Sequence, residues 1–453
     1  MILSLCFFGL GFLISFLTTP LVIRLARNGI GLDEANSTRK RHSIPTPRLG
    51  GMPIMLALSL GLLIILTAKP SYSADWFPIL FGSVLMFGLG LWDDFQPIGA
   101  KKKFAGQIAI ATLVYWLGLS IDRVTYPGGA WSVELKSWSA PVTIFWLIAV
   151  PNIVNLIDGF DGLAGGLGLF MAVTLGIVGL LAEQLPVAWY AFTMAGALLA
   201  FLCFNFPPAK IFLGDGGAYL IGFCIAAMSL TSSNKGSIAA VLLVTIVALG
   251  IPILDTSLAL MRRALRGFPL FHADDEHIHH RLENLGFSKR RIVLGMYGIC
   301  VVLSVVGLSI VWSQGRTIPI AIGFIFLLAM FALRYLHLIR SWDDLLRRIE
   351  RLVGRRRVVR YALLQAQLME LEVDRCSNPE EFWPIFHQAL QRVGLVEDPR
   401  EMKDNYHVIQ VKYNGTTPWT LHAPTFGATK FEWQRIAECF QPTYVKAKTK
   451  WHP

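Results

Sequence analysis

The chain has 453 residues, of which 54% are hydrophobic and only 16% are charged, and its mean hydropathy is +0.52. Soluble domains carry about 25% charged residues, so this composition excludes an ordinary soluble globular protein and indicates the membrane class. The net charge is +11, but the basic residues gather in short loops between apolar runs and after Leu333 rather than over one uniform surface. We therefore expect contacts with anionic lipid and no nucleic acid partner.

Apolar runs of membrane-spanning length predict most of the elements. A helix needs about 20 residues to cross a bilayer, and the runs that approach this length lie at about residues 2–23, 50–68, 77–92, 104–121, 140–157, 162–182, 186–204, 216–231, 236–256, 292–313 and 317–338. No basic residues precede the first run, so we predict a retained span and not a cleaved signal peptide. The predicted fold is a polytopic α-helical membrane protein with about 11 transmembrane helices.

Basic residues in the loops predict the orientation, because cytoplasmic loops carry the excess of Lys and Arg. The loops on the side reached after the first run hold Arg24, Arg27, Arg39, Lys40, Arg41, Arg48, Lys101, Lys102, Lys103, Lys210, Arg262, Arg263, Arg266, Arg281, Lys289, Arg290 and Arg291. The opposite loops hold only Lys69, Arg123, Lys136, Lys235 and Arg316. We therefore predict an N-terminus outside, a C-terminus inside, and a multi-pass protein of the inner, cytoplasmic membrane.

The composition changes near residue 340, where an appendage of residues 340–453 follows the transmembrane domain of residues 1–339. Residues 340–375 combine helical apolar spacing with many charges and predict an amphipathic helix. A second helix is expected to begin at Pro379 with Asn378 as its cap. Segments 407–413 and 418–423 predict a strand pair, and a short helix is expected near Lys430–Phe440. The appendage is thus a small cytosolic α+β domain without a catalytic constellation.

A basic loop, DEANSTRKRHSIPTPRLGG (33–51), follows the first run. It joins a cluster of basic residues, with Arg48 near its end, to a proline-rich turn and a glycine pair. Basic side chains here would bind phosphate groups, or they would only anchor the loop at the cytoplasmic surface. Both interpretations fit this segment alone.

Asp93 and Asp94 end the third run, and Lys101, Lys102 and Lys103 follow them. Two adjacent carboxylates repel each other unless a cation neutralises them. The pair therefore suits a general base or a metal site, and a solvated helix end is the alternative.

Asn155, Asp158 and Asp161 are spaced three residues apart, so that successive members would share one face of a helix. Gly159 and Gly162 interrupt the helix and allow a ligand to approach the backbone. Because carboxylates at membrane depth are costly, this segment predicts a functional site and not packing.

Asp215 lies between glycines in NFPPAKIFLGDGG (205–217), directly before a new apolar run. A carboxylate in this position would hold Mg²⁺, which prefers one or two carboxylates together with substrate phosphate oxygens. The alternative is an N-cap for the following helix.

The string HADDEHIHHRL (272–282) contains His277, His279, His280 and Arg281. Dense histidine with two aspartates would bind zinc, or imidazole and guanidinium donors would bind phosphate. No cysteine lies nearby, and the other segments favour oxygen ligands, so we prefer contact with a phosphate or a sugar nucleotide.

All five segments fall on the predicted cytoplasmic side. Acids, bases and glycines from five loops would therefore meet at one membrane face. A site that handles phosphates needs this combination, because cations must neutralise the phosphates while a base acts.

Together the segments resemble the polyprenyl-phosphate N-acetylhexosamine-1-phosphate transferase family. The matching strings, in order over about residues 1–340, are HSIPTPRLGG (42–51), DDFQPIGAKKKFAGQ (93–107), NLIDGFDGLAGG (155–166), NFPPAKIFLGDGGAYLIG (205–222) and HADDEHIHHRL (272–282). The resemblance implies that a UDP-sugar and polyprenyl phosphate react to give polyprenyl-diphospho-sugar and UMP. It also implies Mg²⁺ as cofactor, with Mn²⁺ as the alternative, and it leaves a homodimer open.

The resemblance also implies roles for single residues. Asp93 and Asp94 match the paired catalytic acids, and Asp215 matches the metal ligand. The residues that match substrate-binding positions are Asn155, Asp158, Asp161, Arg48, Lys102, Lys103, His277, His279, His280 and Arg281.

Two departures bear on the substrate. Ala218 stands where the family often has Ser, and the histidine string reads HIHH instead of three consecutive histidines. The string HIHHRL resembles the branch that transfers GlcNAc-1-phosphate to start a cell-envelope glycan such as lipopolysaccharide O-antigen. The muramoyl-pentapeptide branch of peptidoglycan synthesis is the alternative. A transporter is a further alternative, but transporters place their ionisable sites near the bilayer midplane and often show inverted repeats.

Overall fold

The structure is a computed structural model of the chain. It describes residues 2–26, 32–33, 46–69, 73–125, 132–231, 245–247, 250, 282, 286–335, 342–398, 400, 406–411, 419–425 and 430–451. These residues form two compact units. The helices between Ile2 and Tyr335 belong to the first unit, and the elements between Trp342 and Trp451 belong to the second.

The first unit is helical. Its helices are α1 (Ile2–Ala26), α2 (Gly51–Ala68), α3 (Ser73–Phe95), α4 (Ala100–Trp116), α5 (Ser139–Ile157), α6 (Leu163–Leu181), α7 (Leu185–Asn205), α8 (Gly214–Thr231), α9 (Lys289–Trp312) and α10 (Ile318–Tyr335). Short antiparallel strands β1 (Leu32–Asp33) and β2 (Thr46–Pro47) pair before α2, and β3 (Arg123–Thr125) pairs with β4 (Ser132–Glu134) between α4 and α5.

These helices coincide with the predicted apolar runs, except that the run at 236–256 lies almost entirely outside the described residues. The helix predicted to reach residue 121 ends at Trp116, where Leu117 and Gly118 form a turn. Within the described ranges, seven helices are long and apolar enough to cross a membrane, namely α1, α2, α3, α5, α6, α7 and α9. The total number of spans and their orientation stay predictions.

Buried surface is concentrated at α6, α7 and α8. Most of the apolar stretches of α6 and α7 are buried within the unit, and nearly every residue of α8 after Asp215 is buried. By contrast, α1 and α9 leave many large apolar side chains exposed, as expected for helices that face lipid.

The backbones of α2, α3 and α8 approach closely near the N-terminus of α8. A Cβ atom added to Gly51 in α2 would lie 2.6 Å from the Cα of Gly217, and one added to Gly90 in α3 would lie 2.5 Å from the backbone oxygen of Asp215. Only glycine fits at both positions. The end of α3 and the start of α8 are therefore held against each other, and this places the acidic residues described below.

The second unit contains α11 (Trp342–Arg375), α12 (Pro379–Arg392), β5 (Tyr406–Val411), β6 (Trp419–Pro424) and α13 (Lys430–Trp451). As predicted, Asn378 caps α12, because its Oδ1 accepts a hydrogen bond from the backbone N–H of Glu381 at 2.8 Å. The strand pair is also confirmed: β5 and β6 are antiparallel, with Ile409 opposite Leu421. The predicted boundary between residues 339 and 340 lies outside the described residues.

The last helix is longer than predicted. The sequence indicates a short helix near Lys430–Phe440, but α13 continues to Trp451. Its apolar face extends past Pro442 through Tyr444 and Ala447, and both residues are buried in the core of this unit. Burial of this continued face is the physical reason for the extra turns.

Candidate active site

Charged residues from separate segments meet around the N-terminus of α8. Asp93, Asp94, Lys103 and Asp215 are joined by hydrogen bonds, and Asp158 lies within electrostatic range of Asp94 and Asp215. The structure therefore brings together residues of three predicted segments, 93–107, 155–166 and 205–222. His277, His279, His280 and Arg281 lie outside the described residues, and their predicted role stays a prediction.

The Asp94 side chain caps α8 from the neighbouring helix α3. Its Oδ1 accepts a hydrogen bond from the backbone N–H of Asp215, and its Oδ2 accepts one from Gly216, both at 2.9 Å. The first N–H groups of a helix have no partner within the helix, and a carboxylate there also offsets the positive end of the helix dipole. Asp94 thus fixes where Asp215 stands.

Gly214 allows this arrangement. Its φ of +78° lies in the left-handed region, which costs side-chain-bearing residues energy. A Cβ atom at Gly214 would also lie 2.7 Å from Asp94 Oδ2 and even closer to the backbone oxygen of Arg48. The backbone at Arg48 is held in turn by pairing of the flanking residues, since Phe212 N–H donates to Pro47 O at 2.8 Å.

Lys103 bridges two of the carboxylates. Its Nζ lies 2.9 Å from Asp93 Oδ2 and 2.8 Å from Asp215 Oδ2. Burial alone would lower the pKa of Lys103, but the Asp215 and Asp93 carboxylates outweigh it and raise that pKa above its ordinary value. The lysine is therefore charged, and it neutralises part of the acidic cluster. Asp93 is held further by the backbone N–H of Ile98, which donates to its Oδ1 at 2.9 Å.

Asp158 begins the turn after α5 and carries a poorly compensated carboxylate. Burial raises its pKa well above the usual range; the nearby charges of Asp215 and Asp94 raise it further, and Arg48 offsets only part of this. Within the described part of the chain, no hydrogen bond to the Asp158 carboxylate is formed. A carboxylate in this state is ready to bind a proton, a cation or a substrate hydroxyl.

Asp161 has a different environment from Asp158. It is buried, and its Oδ2 accepts a hydrogen bond from the backbone N–H of Ala209 at 3.2 Å. Asn205 makes a parallel link, because its Oδ1 accepts from Gly162 N–H at 2.9 Å and its Nδ2 donates to Ile211 O at 2.8 Å. These contacts join the turn between α5 and α6 to the loop before α8.

Two residues of α9 support the same turn and loop. The Tyr297 hydroxyl donates to Gly162 O at 2.5 Å, and Arg290 Nε donates to Pro207 O at 2.9 Å. Sequence reasoning missed both. The available signal is weak: a tyrosine hydroxyl within an apolar helix needs a hydrogen-bond partner, but the sequence does not say which one.

The remaining predicted residues lie at the edge of this group. Arg48 is half-buried and contributes positive charge toward Asp94 and Asp158. Asn155 is half-buried near the end of α5, where its backbone oxygen accepts from Asp158 N–H at 3.2 Å. Lys102 is exposed, one position before the bridging Lys103.

The donor set near α8 suits a hard divalent cation. Asp215 and Asp158 are the residues that could hold it, since both present carboxylate oxygens. Among the residues that the structure describes, no group of three or more His, Cys, Asp or Glu side chains forms a metal-binding cluster. Mg²⁺ needs no such cluster, because it keeps several waters and commonly binds one or two carboxylates together with substrate phosphates.

Comparison with known proteins places the chain in a family. The model of glycosyl transferase family 4 matches residues 76–233, which include Asp93, Asp94, Lys103, Asp158 and Asp215. A probable undecaprenyl-phosphate N-acetylglucosaminyl 1-phosphate transferase from Bacillus subtilis is 34% identical over 325 residues, which cover 71% of this chain and 88% of the relative. The chain belongs to glycosyl transferase family 4.

Two further relatives are similar to this chain over comparable lengths. A decaprenyl-phosphate N-acetylglucosaminephosphotransferase from Mycobacterium tuberculosis is 32% identical over 357 residues, or 73% of this chain and 87% of the relative. A phospho-N-acetylmuramoyl-pentapeptide-transferase from Levilactobacillus brevis is 30% identical over 320 residues, or 67% of this chain and 97% of the relative. The resemblance inferred from the motifs is confirmed. The apolar helices and these relatives together make the chain a multi-pass membrane protein.

Proposed function

We propose that this chain transfers GlcNAc-1-phosphate from UDP-GlcNAc to polyprenyl phosphate and releases UMP. The observation that carries the proposal is the Lys103 bridge between Asp93 and Asp215, which gathers acids and a cation at the ends of membrane helices. Relatives named as N-acetylglucosamine phosphate transferases share about a third of the aligned residues.

The reaction joins two anions. An oxygen of the lipid phosphate forms a bond to the β-phosphorus of the donor, the bond from that phosphorus to the bridging oxygen breaks, and UMP leaves with that oxygen. The two substrates repel each other until positive charge lies between them. Lys103 supplies a fixed positive charge at the place where Asp93 and Asp215 converge, and Arg48 supplies a second nearby.

The carboxylates take different roles in this proposal. Asp93 lies beside Lys103 at the edge of the cluster and accepts a proton from the lipid phosphate or orients it. Asp94 is a positioning residue, because both of its oxygens are engaged by the backbone of α8. Asp215 and Asp158 would hold Mg²⁺, which when bound neutralises charge on the diphosphate of the donor.

The other residues contact the nucleotide or the sugar in this scheme. Asn155 and Lys102 lie close enough in sequence to Asp158 and Lys103 to reach the same substrate, and Asp161 holds the adjoining loop in place. The histidine segment with His277, His279, His280 and Arg281 supplies further donors to phosphate or sugar. We propose that the reaction takes place at the cytoplasmic face of the inner membrane. The loops rich in Lys and Arg, which are predicted to be cytoplasmic, contain or adjoin these residues.

A donor panel tests the proposal. The purified full chain in detergent, with undecaprenyl phosphate and Mg²⁺, is given UDP-GlcNAc, UDP-GalNAc or UDP-MurNAc-pentapeptide, and UMP is measured. We expect release from UDP-GlcNAc that depends on lipid phosphate and is lost in Asp215→Asn. Exclusive use of the pentapeptide donor would instead assign the muramoyl branch, which the Levilactobacillus relative represents.

A control separates loss of chemistry from loss of folding. Asp398→Asn changes an exposed aspartate of the second unit that pairs with Arg400, and we expect wild-type activity from it. Near-wild-type activity in purified Asp215→Asn would contradict the assignment of the site.

A further inference from the structure

Two buried polar side chains beside the acidic cluster have hydrogen-bond donors that nothing accepts. Gln107 is 1% exposed, and in the part of the chain that the structure describes its Nε2 has no hydrogen-bond partner. Tyr219 is 2% exposed, and no hydrogen bond to its hydroxyl is formed within the described residues. Buried polar groups nearly always have a partner. These two donors therefore point to an acceptor that comes from outside the chain.

The orientation of the Gln107 amide follows from its neighbour Asn152. Asn152 Nδ2 donates to the backbone oxygen of Ile148 at 2.8 Å and to Gln107 Oε1 at 2.7 Å. A backbone oxygen only accepts, so the nitrogen of the Asn152 amide must face it, and the oxygen of Gln107 must face that nitrogen. Both N–H groups of the Gln107 amide are thus left for another acceptor, and rotating either amide gives no better arrangement.

The two donors follow directly on the Lys103 bridge. Gln107 lies four residues after Lys103 in α4, and Tyr219 lies four residues after Asp215 in α8, so the members of each pair share one helix face. The 2.8 Å contact between Lys103 Nζ and Asp215 Oδ2 brings these two faces opposite each other. Tyr219 also lies within electrostatic range of Lys103 and Asp215. The unpaired donors are therefore one helical turn beyond the bridge, on the faces that it joins.

An anionic oxygen is the acceptor that this arrangement suits. Hydrogen bonds from neutral donors to an ionised oxygen are stronger than those between two neutral groups, and Lys103 supplies the opposite charge nearby. A neutral hydroxyl and a neutral amide also cost less to bury without a ligand than a second cation would. A phosphate oxygen combines these properties. An ordered water is the other acceptor that fits such donors, and the experiments below distinguish the two.

The surroundings of Gln107 favour the acceptor phosphate over the donor diphosphate. Phe104 and Ile108, on either side of Gln107 in α4, are each 41% exposed, as expected for side chains that face lipid. The polyprenyl chain anchors the acceptor in the bilayer, so its phosphate approaches along a lipid-facing helix. A UDP-sugar is soluble in water and enters from the aqueous side of the cluster.

We propose that the Tyr219 hydroxyl and the Gln107 amide donate hydrogen bonds to the phosphate of the polyprenyl acceptor and hold it beside Lys103. This inference rests on the proposed function, because it names the acceptor of that reaction. Tyr219 brings to α8 a hydroxyl that the neighbouring Ala218 lacks.

The first test compares the two substrates. UMP release by the purified full chain is measured with undecaprenyl phosphate varied at saturating UDP-GlcNAc, and then with UDP-GlcNAc varied at saturating lipid. Tyr219→Phe and Gln107→Met should each raise the KM for the lipid by about tenfold, since each removes a hydrogen bond to a charged group. The KM for UDP-GlcNAc should stay near the wild-type value.

Tyr190→Phe is the matched control for the tyrosine. Tyr190 is a buried residue of α7 whose hydroxyl contacts Cys224 Sγ at 3.5 Å, and both KM values should stay at the wild-type level in this variant. A purely structural role of Tyr219 or Gln107, or a role in holding water alone, would leave the KM for the lipid unchanged in their variants. That result would overturn the proposal.

Direct binding separates this inference from the proposed function. Native mass spectrometry of the full chain in detergent, without nucleotide, measures the binding of undecaprenyl phosphate and of undecaprenol. We expect the phosphate to bind wild type about tenfold more tightly than Tyr219→Phe, and undecaprenol to bind both proteins equally. A wild type that binds in this way but releases no UMP would contradict the proposed function and support the phosphate site. Equal affinity of both proteins for undecaprenyl phosphate, or a raised KM for UDP-GlcNAc alone, would overturn the inference.

Discussion

Asp94 holds Asp215 through the backbone: the Oδ1 of Asp94 accepts the N–H of Asp215 at 2.9 Å. The contact joins the end of α3 to the start of α8 across 121 positions of sequence. One member of the adjacent acid pair therefore sets the geometry, while the other, Asp93, contacts the cation of Lys103.

Replacing Asp94 tests its role in holding the N-terminus of α8 and Asp215. Asp94→Ala removes both acceptors at the N-terminus of α8, and loss of such a cap costs about 0.5–2 kcal/mol. We expect a lower unfolding temperature together with a large loss of kcat, because Asp215 is no longer held. Asp94→Asn keeps one acceptor oxygen and should lie between Ala and wild type in both measurements. Wild-type thermal stability in Asp94→Ala would contradict the capping role.

Lys103→Met should abolish most of the activity while the protein still folds. The change leaves Asp93 and Asp215 without the cation between them, and loss of one key electrostatic group typically costs about 10²–10³ in rate. UMP release by the purified variant measures the effect. Lys446→Met is a matched control, since Lys446 pairs with Asp374 at 2.7 Å on the surface of the second unit. Equal losses in both variants would argue against a special role of Lys103.

Asp158 should make stability depend on pH. In the folded protein the Asp158 carboxyl keeps its proton to a higher pH than it does in the unfolded chain, because its pKa is raised above the ordinary value of 3.8. The free energy of unfolding therefore falls as pH rises from about 3.8 to the raised pKa of Asp158. Asp158→Asn removes this dependence and should unfold at a higher temperature than wild type at neutral pH, although its turnover is lost.

Thermal unfolding of both proteins between pH 5 and 8, without divalent cation, checks this difference. We expect the gap between variant and wild type to widen with rising pH and to level off above the raised pKa. Parallel curves across the whole range would show that Asp158 keeps its ordinary pKa.

Gly214→Ala should damage the site more than Gly99→Ala. Both glycines have positive φ, +78° and +81°, and Gly99 combines its φ with a ψ of 150°, a region that is essentially restricted to glycine, so that each substitution strains the backbone. A Cβ atom at Gly99 meets nothing within 4 Å, whereas one at Gly214 collides with the Arg48 backbone and the Asp94 carboxylate. UMP release should therefore fall further for Gly214→Ala. An equal effect of both substitutions would mean that the close approach at Gly214 is unimportant.

The sequence predicts the helices well because apolar length is a local property. The runs from 2–23 to 216–231 each coincide with a helix, and the cap at Asn378 follows from two adjacent residues. The end of α13 was predicted wrongly, since the burial of Tyr444 and Ala447 depends on contacts with distant elements.

The candidate site was predictable in its members but not in their division of roles. Motif spacing singles out Asp93, Asp94, Asp158 and Asp215 as acids at the ends of runs. It does not say that Asp94 points at the backbone of α8 while Asp93 points at Lys103. Adjacent helical residues point about 100° apart, and the motif alone does not fix how α3 is rotated about its axis. It also gives no sign of Tyr297, whose partner Gly162 lies 135 positions away.

The glycine contacts at Gly51 and Gly90 have a mechanical consequence. Where α2, α3 and α8 touch main chain to main chain, no side chain is interposed that could change rotamer and absorb a displacement. The spacing between the end of α3 and the start of α8 is therefore set by direct contact between their backbones. A substitution of lipid-facing residues in these helices would leave that spacing unchanged, whereas any residue larger than glycine at position 51 or 90 would push the helices apart and open the gap across which Lys103 reaches.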